Sequence, residues 1–181
     1  LKSINQSFTV KGIDYIIRCA RKEDSDLLSR IRYQIDGETE NMNREQGEDF
    51  LSGEDFKTII TNDLDSTNNL FLVAESDGEL LGFSRCEGSN LKRLSHQVEF
   101  GICVLKKYWG YAIGYNLMRE TIKWADNQNI RKISLSVLET NKKAIELYKS
   151  QGFQIEGILK EDKFLSDGKY YDTIVMGRIN K

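Results

Sequence analysis

The sequence predicts a mixed α/β fold in which a mostly antiparallel central sheet is flanked by helices. Three observations carry that expectation. Short β-branched and alternating runs outnumber the helical stretches, and two pairs of them enclose an Asp-Gly turn, at Ser76-Asp77-Gly78 and Ser166-Asp167-Gly168. Segment 110–127 lies between two strand-like runs and repeats its apolar residues at helical spacing, as a crossover between parallel strands does. A chain of 181 residues, 39% hydrophobic and 30% charged, suits one domain, expected here to span residues 1–181.

Taken in order, Asp14–Ala20 reads as a first strand. Residues 24–37 carry Leu27, Leu28, Ile31 and Ile35 on one helical face, starting at an Asp/Ser cap. An acidic loop and a second helix, about 52–62, follow. Residues 70–75 and 79–86 form a hairpin, and 97–104 alternates as a strand. The helix of 110–127 shows its stripe at positions 113, 117, 118, 122, 124 and 125. Residues 132–138 place Ile133, Leu135 and Val137 on one face of a strand, and 141–150 form a short helix that stops at Gln151-Gly152. The long hairpin 153–164 and 170–179 completes the order β-α-α-β-β-β-α-β-α-β-β.

Composition excludes several classes. No apolar run approaches the roughly 20 residues of a bilayer span, and residues 1–6 lack the apolar stretch of a secretory leader. Cys19, Cys86 and Cys103 are odd in number and each sits in an apolar run, as buried free thiols in a reducing compartment do, so the expected location is the cytoplasm. His96 is the one histidine, and no metal site is expected. The net charge of −2 hides an asymmetry: segment 36–65 holds ten carboxylates against Arg44 and Lys57. Neither part of the chain has the basic, aromatic-interleaved surface of a nucleic-acid binder.

Two stretches carry chemistry. In the first, strand Val98–Val104 runs through Leu105-Lys106-Lys107-Tyr108 into Trp109-Gly110-Tyr111-Ala112-Ile113-Gly114 at a helix start. Unpaired N–H groups and the helix dipole bind phosphate at such a place, and glycine lets a diphosphate approach the backbone. A tight strand-to-helix turn without a ligand is the alternative. In the second, helix 141–150 gathers Leu147, Ala144, Tyr148, Asn141 and Ile145 into one arc, with Asn141 and Tyr148 about 20° apart near its middle. A plain N-cap explains Asn141 equally, and a core aromatic explains Tyr148.

Together these stretches resemble the GNAT superfamily of acetyl-CoA-dependent N-acetyltransferases. Its coenzyme loop, Gln/Arg-x-x-Gly-x-Gly/Ala, falls on Trp109, Ala112 and Gly114, with Trp109 and Ala112 departing from the pattern. Its later helix, Asn-x-x-Ala-x-x-Leu-Tyr-x-x-x-Gly-Phe, is met at Asn141, Ala144, Leu147, Tyr148, Gly152 and Phe153. The resemblance implies direct acetyl transfer from acetyl-CoA to a primary amine, in a small cationic molecule or at a peptide N-terminus, without an acyl-enzyme, and in a chain that forms dimers in many family members. It implies coenzyme contacts at Ile102, Cys103, Val104, Trp109, Gly110, Tyr111, Ala112, Ile113, Gly114, Asn141, Ala144 and Tyr148. It further implies that Tyr148 protonates or hydrogen-bonds the departing thiolate and that Glu99 serves as general base, although a solvated carboxylate explains Glu99 as well. The early helices and their loop then line the acceptor side, with Glu38 and Glu40 facing the amine. Ala112 is compatible with the loop if its φ is negative, and Trp109, which removes a polar contact, implies weaker coenzyme binding unless Lys106 or Lys107 compensates. A non-catalytic acyl-CoA-binding protein on the same fold is the alternative function, favoured only by Trp109 and Ala112.

Overall fold

The computed structural model describes residues 3–180, so the reading of Leu1 and Lys2 as part of a leaderless start lies outside the described residues. Two helices separate the N-terminal strands from the rest of the sheet in sequence. β1 (Asn5–Val10) and β2 (Ile13–Cys19) form a hairpin, followed by α1 (Ser25–Glu38) and α2 (Gly53–Asp65). Then come β3 (Leu70–Ser76), β4 (Glu79–Gly88), β5 (Gln97–Val104), α3 (Ile113–Asn127), β6 (Lys132–Leu138), α4 (Lys142–Ser150), β7 (Gln154–Phe164) and β8 (Tyr170–Ile179). All eight strands join one sheet in the order β1-β2-β3-β4-β5-β6-β8-β7. Only β5 and β6 pair in parallel, across α3; the other contacts are antiparallel.

The fold class and element order expected from sequence are those observed, with one strand added. That strand is β1, and Lys11-Gly12 closes its hairpin with a two-residue loop in which both residues have positive φ, 50° and 80°. The alternating Phe8 and Val10 of β1 pack on the core beside Ile13 and Tyr15. A second correction concerns α3, which starts at Ile113 rather than at Gly110.

The helices form where local sequence and tertiary contact agree. α2 opens on a capping box: the Asp55 N–H donates to the Ser52 hydroxyl, and the Asp55 carboxylate accepts from the Ser52 N–H at 2.8 Å. Asp24, before α1, does not cap it; its carboxylate is gripped by the buried Arg18 guanidinium through two 2.7 Å bonds. α4 ends where Gly152 turns left-handed at φ +90°, a conformation that glycine adopts without steric cost.

Two apolar clusters lie on opposite faces of the sheet. α3 and α4 cover one with Ile113, Leu117, Met118, Trp124, Ile145 and Tyr148 over Val98, Phe100, Ile133 and Leu135. α1 and α2 cover the other with Leu28, Ile35, Phe56 and Ile60 over Phe71, Val73 and Cys103. β3 is buried on both faces from Leu70 to Ala74, so it forms the middle of the sandwich.

Candidate active site

The site is set by a fault in the sheet. β5 and β6 pair only over Gln97–Glu99 and Lys132–Ser134, and beyond that point the two strands diverge. β5 remains paired with β4 as far as Val104. Because the Leu105 N–H donates to the Leu81 carbonyl (3.0 Å), the alternation of an antiparallel ladder turns the polar groups of Gly101 and Cys103 toward β4. The N–H and C=O groups of Ile102 and Val104 therefore point across the gap. One of them has found a side chain: the Trp109 indole N–H donates to the Val104 carbonyl at 2.9 Å. Trp109 thus stands on the rim of the gap and replaces a polar family residue with a wall.

At the same end of the sheet lies the start of α3. Its first intrahelical bond is Asn116 N–H to the Ala112 carbonyl, at 2.9 Å. No side chain caps it, so the N–H groups of Ile113, Gly114 and Tyr115 have no acceptor among the described residues. Gly110 (φ +84°) and Ala112 (φ +57°) are both left-handed and bend the loop around this helix end. The condition of a negative φ at Ala112 is not met: the position that holds glycine in the family pattern needs glycine-like geometry, and alanine occupies it under strain of roughly 1 kcal/mol. A Cβ on Gly114 would lie 3.6 Å from Ile102 Cδ1, which ties the helix start to the diverging strand. Three free donors, a helix dipole and an open strand edge together suit an elongated molecule that carries a diphosphate and amide groups, as coenzyme A does.

Tyr148 and Asn141 lie on α4 as the helical arc requires. The sequence from Lys142 to Ser150 buries Ile145 and Tyr148 and exposes every lysine on the opposite side. Tyr148 is 6% exposed and packs its ring against Phe153, centroids 6.0 Å apart. No described residue hydrogen-bonds its hydroxyl. Among the described residues the sealed side-chain polar atoms without a partner are Ser84 Oγ and Trp124 Nε1, so the Tyr148 hydroxyl, which is not sealed, touches water-accessible space. Burial, and to a smaller degree the nearby Cys103 thiol, push its pKa above the ordinary tyrosine value. The Asn141 side-chain carbonyl accepts from the Ala144 N–H at 3.3 Å, the N-cap arrangement, and leaves its amide donor unused.

Other residues singled out by sequence sit further off. Cys103 turns its side chain into the cluster beneath α1, where its Sγ lies 3.6 Å from Met42 Sδ and burial lifts its pKa to about 12. Glu99 is exposed at the paired end of β5, opposite Glu87 on β4 and Ser134 on β6. Lys107 reaches Glu79 (3.7 Å) and the Tyr108 ring, while Lys106 lies 6.0 Å over the Trp109 ring.

A cleft of about 490 Å³ opens beside the gap, lined by Asp36, Glu38, Glu40, Lys106, Trp109 and Leu138 among others. It brings Glu38 and Glu40 onto one surface with Lys106 and Trp109. Both glutamates are anchored: Glu38 accepts from the Lys106 N–H at 2.7 Å, and Glu40 from the Ser166 N–H at 2.9 Å. They clip the end of α1 to the loop after β5 and to the tip of the β7–β8 hairpin. The wall residues Leu138 and Thr140 come from the β6–α4 connection and Leu165 from the β7–β8 turn, and sequence spacing alone gave no sign of them. Among the described residues no helix is long and apolar enough to cross a membrane, and no three His, Cys, Asp or Glu side chains cluster as metal ligands.

Known proteins resemble this chain in sequence and in fold. The acetyltransferase (GNAT) family model matches residues 35–153. An L-amino acid N-acetyltransferase of Escherichia coli is 38% identical over 109 residues, 60% of this chain and 67% of that protein. An N-alpha-acetyltransferase of Sulfurisphaera tokodaii is 36% identical over 108 residues, 55% of this chain and 64% of that protein, so the match spans about two thirds of each relative. The crystal structure of a GNAT-family acetyltransferase from Streptococcus pneumoniae superposes with a TM-score of 0.88 at 28% identity, covering 92% of this chain and 99% of that one.

Proposed function

The chain belongs to the acetyltransferase (GNAT) family, and from that premise we propose that it transfers acetyl from acetyl-CoA directly to a primary amine held in the acidic cleft. The observation that carries this reading is the coincidence of three features at one end of the sheet. They are the β5–β6 gap with outward-facing Ile102 and Val104 amides, the uncapped start of α3, and a buried phenol whose hydroxyl still reaches open space.

Each group has a role that its chemistry allows. Acetyl-CoA supplies a thioester activated toward amines. The N–H groups of Ile113, Gly114 and Tyr115 hold its diphosphate, and the glycine at 114 keeps that approach open. The Ile102 or Val104 N–H donates to the acetyl oxygen as negative charge develops on it; donors fixed in a backbone need no reorganisation to do so. The Tyr148 hydroxyl donates to the departing sulfur. Its raised pKa makes full proton transfer to a thiolate of ordinary pKa about 8.5 uphill, so a strong hydrogen bond is its main contribution.

The acceptor must be deprotonated before attack, since an alkyl ammonium has a pKa of about 10.4. Glu99 is the proposed base and acts through water, because it is exposed on β5 and not part of the cleft lining. The cleft has room for a small molecule or a chain terminus, and Glu38 and Glu40 give it a negative rim that favours a cationic amine.

The test is a coenzyme A titration followed by thiol release from acetyl-CoA with a panel of L-amino acids, polyamines and peptides with free N-termini. Turnover above the amine-free blank with at least one class is expected. Tight coenzyme binding with no turnover on any acceptor would instead assign the non-catalytic function.

A further inference from the structure

The N-terminal hairpin aims one cation at the coenzyme loop. Lys11 is the first residue of the two-residue turn between β1 and β2, and Tyr15 on β2 fastens that hairpin to the loop. The Tyr15 hydroxyl donates to the Tyr111 carbonyl at 3.1 Å and accepts from the Asn116 amide at 2.7 Å. Tyr15 also stacks on Phe8 of β1, with ring centroids 5.5 Å apart. On this support the Lys11 ammonium lies 5.8 Å from the centre of the Tyr111 ring. It is 3.7 Å from the point that a Cβ on Gly110 would occupy. No carboxylate among the described residues pairs with it.

The turn itself does not ask for lysine. Both of its central residues have positive φ, a geometry that favours asparagine, aspartate or glycine, and Lys11 stands there at φ +50°. The two lysines nearest the loop in sequence point elsewhere, Lys107 to Glu79 and Lys106 over Trp109. Trp109 meanwhile spends its one donor on the Val104 carbonyl. Residues 109–114 hold no cation of their own, and one arrives from a distant hairpin.

We propose that Lys11 is a coenzyme-binding residue, whose ammonium pairs with a phosphate of acetyl-CoA beside Gly110 and supplies the polar interaction that Trp109 cannot. This rests on the coenzyme reading above and adds to it a residue outside the family motif. The shared chemistry is a phosphate oxygen, from either the diphosphate or the 3′-phosphate of the coenzyme.

The experiment compares wild type, Lys11→Asn and Lys11→Arg by calorimetric titration with coenzyme A, 3′-dephospho-coenzyme A and pantetheine, at low and high salt. Asparagine keeps the turn, so the melting temperature of Lys11→Asn should equal or exceed that of wild type. Its coenzyme A affinity should fall about 5- to 20-fold at low salt, the range of one partly exposed charged hydrogen bond, and the deficit should narrow as salt rises. Lys11→Arg should stay within about twofold of wild type. A loss that persists with 3′-dephospho-coenzyme A assigns the diphosphate, and a loss that vanishes assigns the 3′-phosphate; pantetheine affinity should not change. Unaltered coenzyme A affinity in Lys11→Asn, or an equal loss for pantetheine, would overturn the proposal while leaving the coenzyme site intact. Wild type that binds no coenzyme A would overturn both.

Discussion

Replacing Tyr148 by phenylalanine deletes one hydroxyl and leaves the ring on Phe153 in place. A phenol that served the fold would be bound to another part of the protein, and its loss would lower stability by about 1 kcal/mol. Here the hydroxyl has no protein partner among the described residues, and burial already raises its pKa through the difficulty of placing charge there. Stability should therefore stay within about 0.5 kcal/mol of wild type, or rise slightly. The effect on rate should be much larger, a fall in kcat of roughly 10- to 1,000-fold if the phenol assists thiolate departure. The KM for acetyl-CoA should change far less. The sign of the pKa shift adds a control: a phenol above its ordinary value stays protonated through neutral and mildly alkaline pH. The acid limb of the kcat–pH profile, which reports the base, should thus survive in the mutant. Thermal melts and single-turnover thiol release make the comparison. Full single-turnover rate, or a melting temperature lowered as by removal of a hydrogen bond, would reduce Tyr148 to a packing residue.

Ala112→Gly should raise the melting temperature by about 1–3 °C and leave coenzyme affinity equal or better, because relief of the left-handed strain at φ +57° outweighs the added freedom of the unfolded chain. Gly114→Asp should fold normally, since its Cβ meets only Ile102 at 3.6 Å and Leu147 at 3.9 Å. The new carboxylate would satisfy the free N–H groups of α3 itself, and calorimetry should show acetyl-CoA bound at least tenfold more weakly, about 1.4 kcal/mol. Glu38→Gln with Glu40→Gln keeps acceptors for the Lys106 and Ser166 N–H groups but removes two charges from the cleft. It should lower kcat/KM more for a diamine than for a matched monoamine, with a loss that shrinks as salt rises; equal losses would point to geometry instead.

The fold was legible because its cues are local and mutually consistent. The α3 stripe, the two Asp-Gly hairpins and the Asn141–Phe153 helix each follow from neighbouring residues. The first hairpin escaped because Lys11-Gly12 is a weaker turn signal than Asp-Gly. The backbone of the candidate site was legible in outline, since a strand running into a helix start is visible in Val98–Gly114. Its details were not. The backbone angle of Ala112, the bond from Trp109 to Val104 and the reach of Lys11 to Gly110 depend on where distant segments settle, and residue type does not encode that.

The acidic segment shows why charge counts from sequence mislead. Asp36 is buried against Arg44, Asp63 is held by Arg85, and Asp49 pairs with Arg32. Asp55 caps α2, and Glu48 accepts from the Glu45 N–H. These carboxylates order the loop between α1 and α2 and anchor α2 to the sheet; the arginine pairs neutralise part of the surplus, and Glu45, Glu48 and Asp55 lie outside the cleft lining. What faces the cleft with unneutralised charge is Glu38 and Glu40, opposed in part by Lys106. That smaller charge suits the reaction better than the full surplus would. A strongly negative cleft would gather ammonium ions but raise their pKa, and each unit of that rise makes deprotonation about 1.36 kcal/mol harder. Two glutamates whose carboxylates are already hydrogen-bonded to backbone N–H groups would hold a cationic amine while raising its pKa less than bare carboxylates would. Under the proposed function the glutamates would act in binding and the base would lie outside the cleft, on β5. Glu38→Gln and Glu40→Gln should then raise KM for the amine and leave the acid limb of the kcat–pH profile in place, whereas Glu99→Gln should remove it.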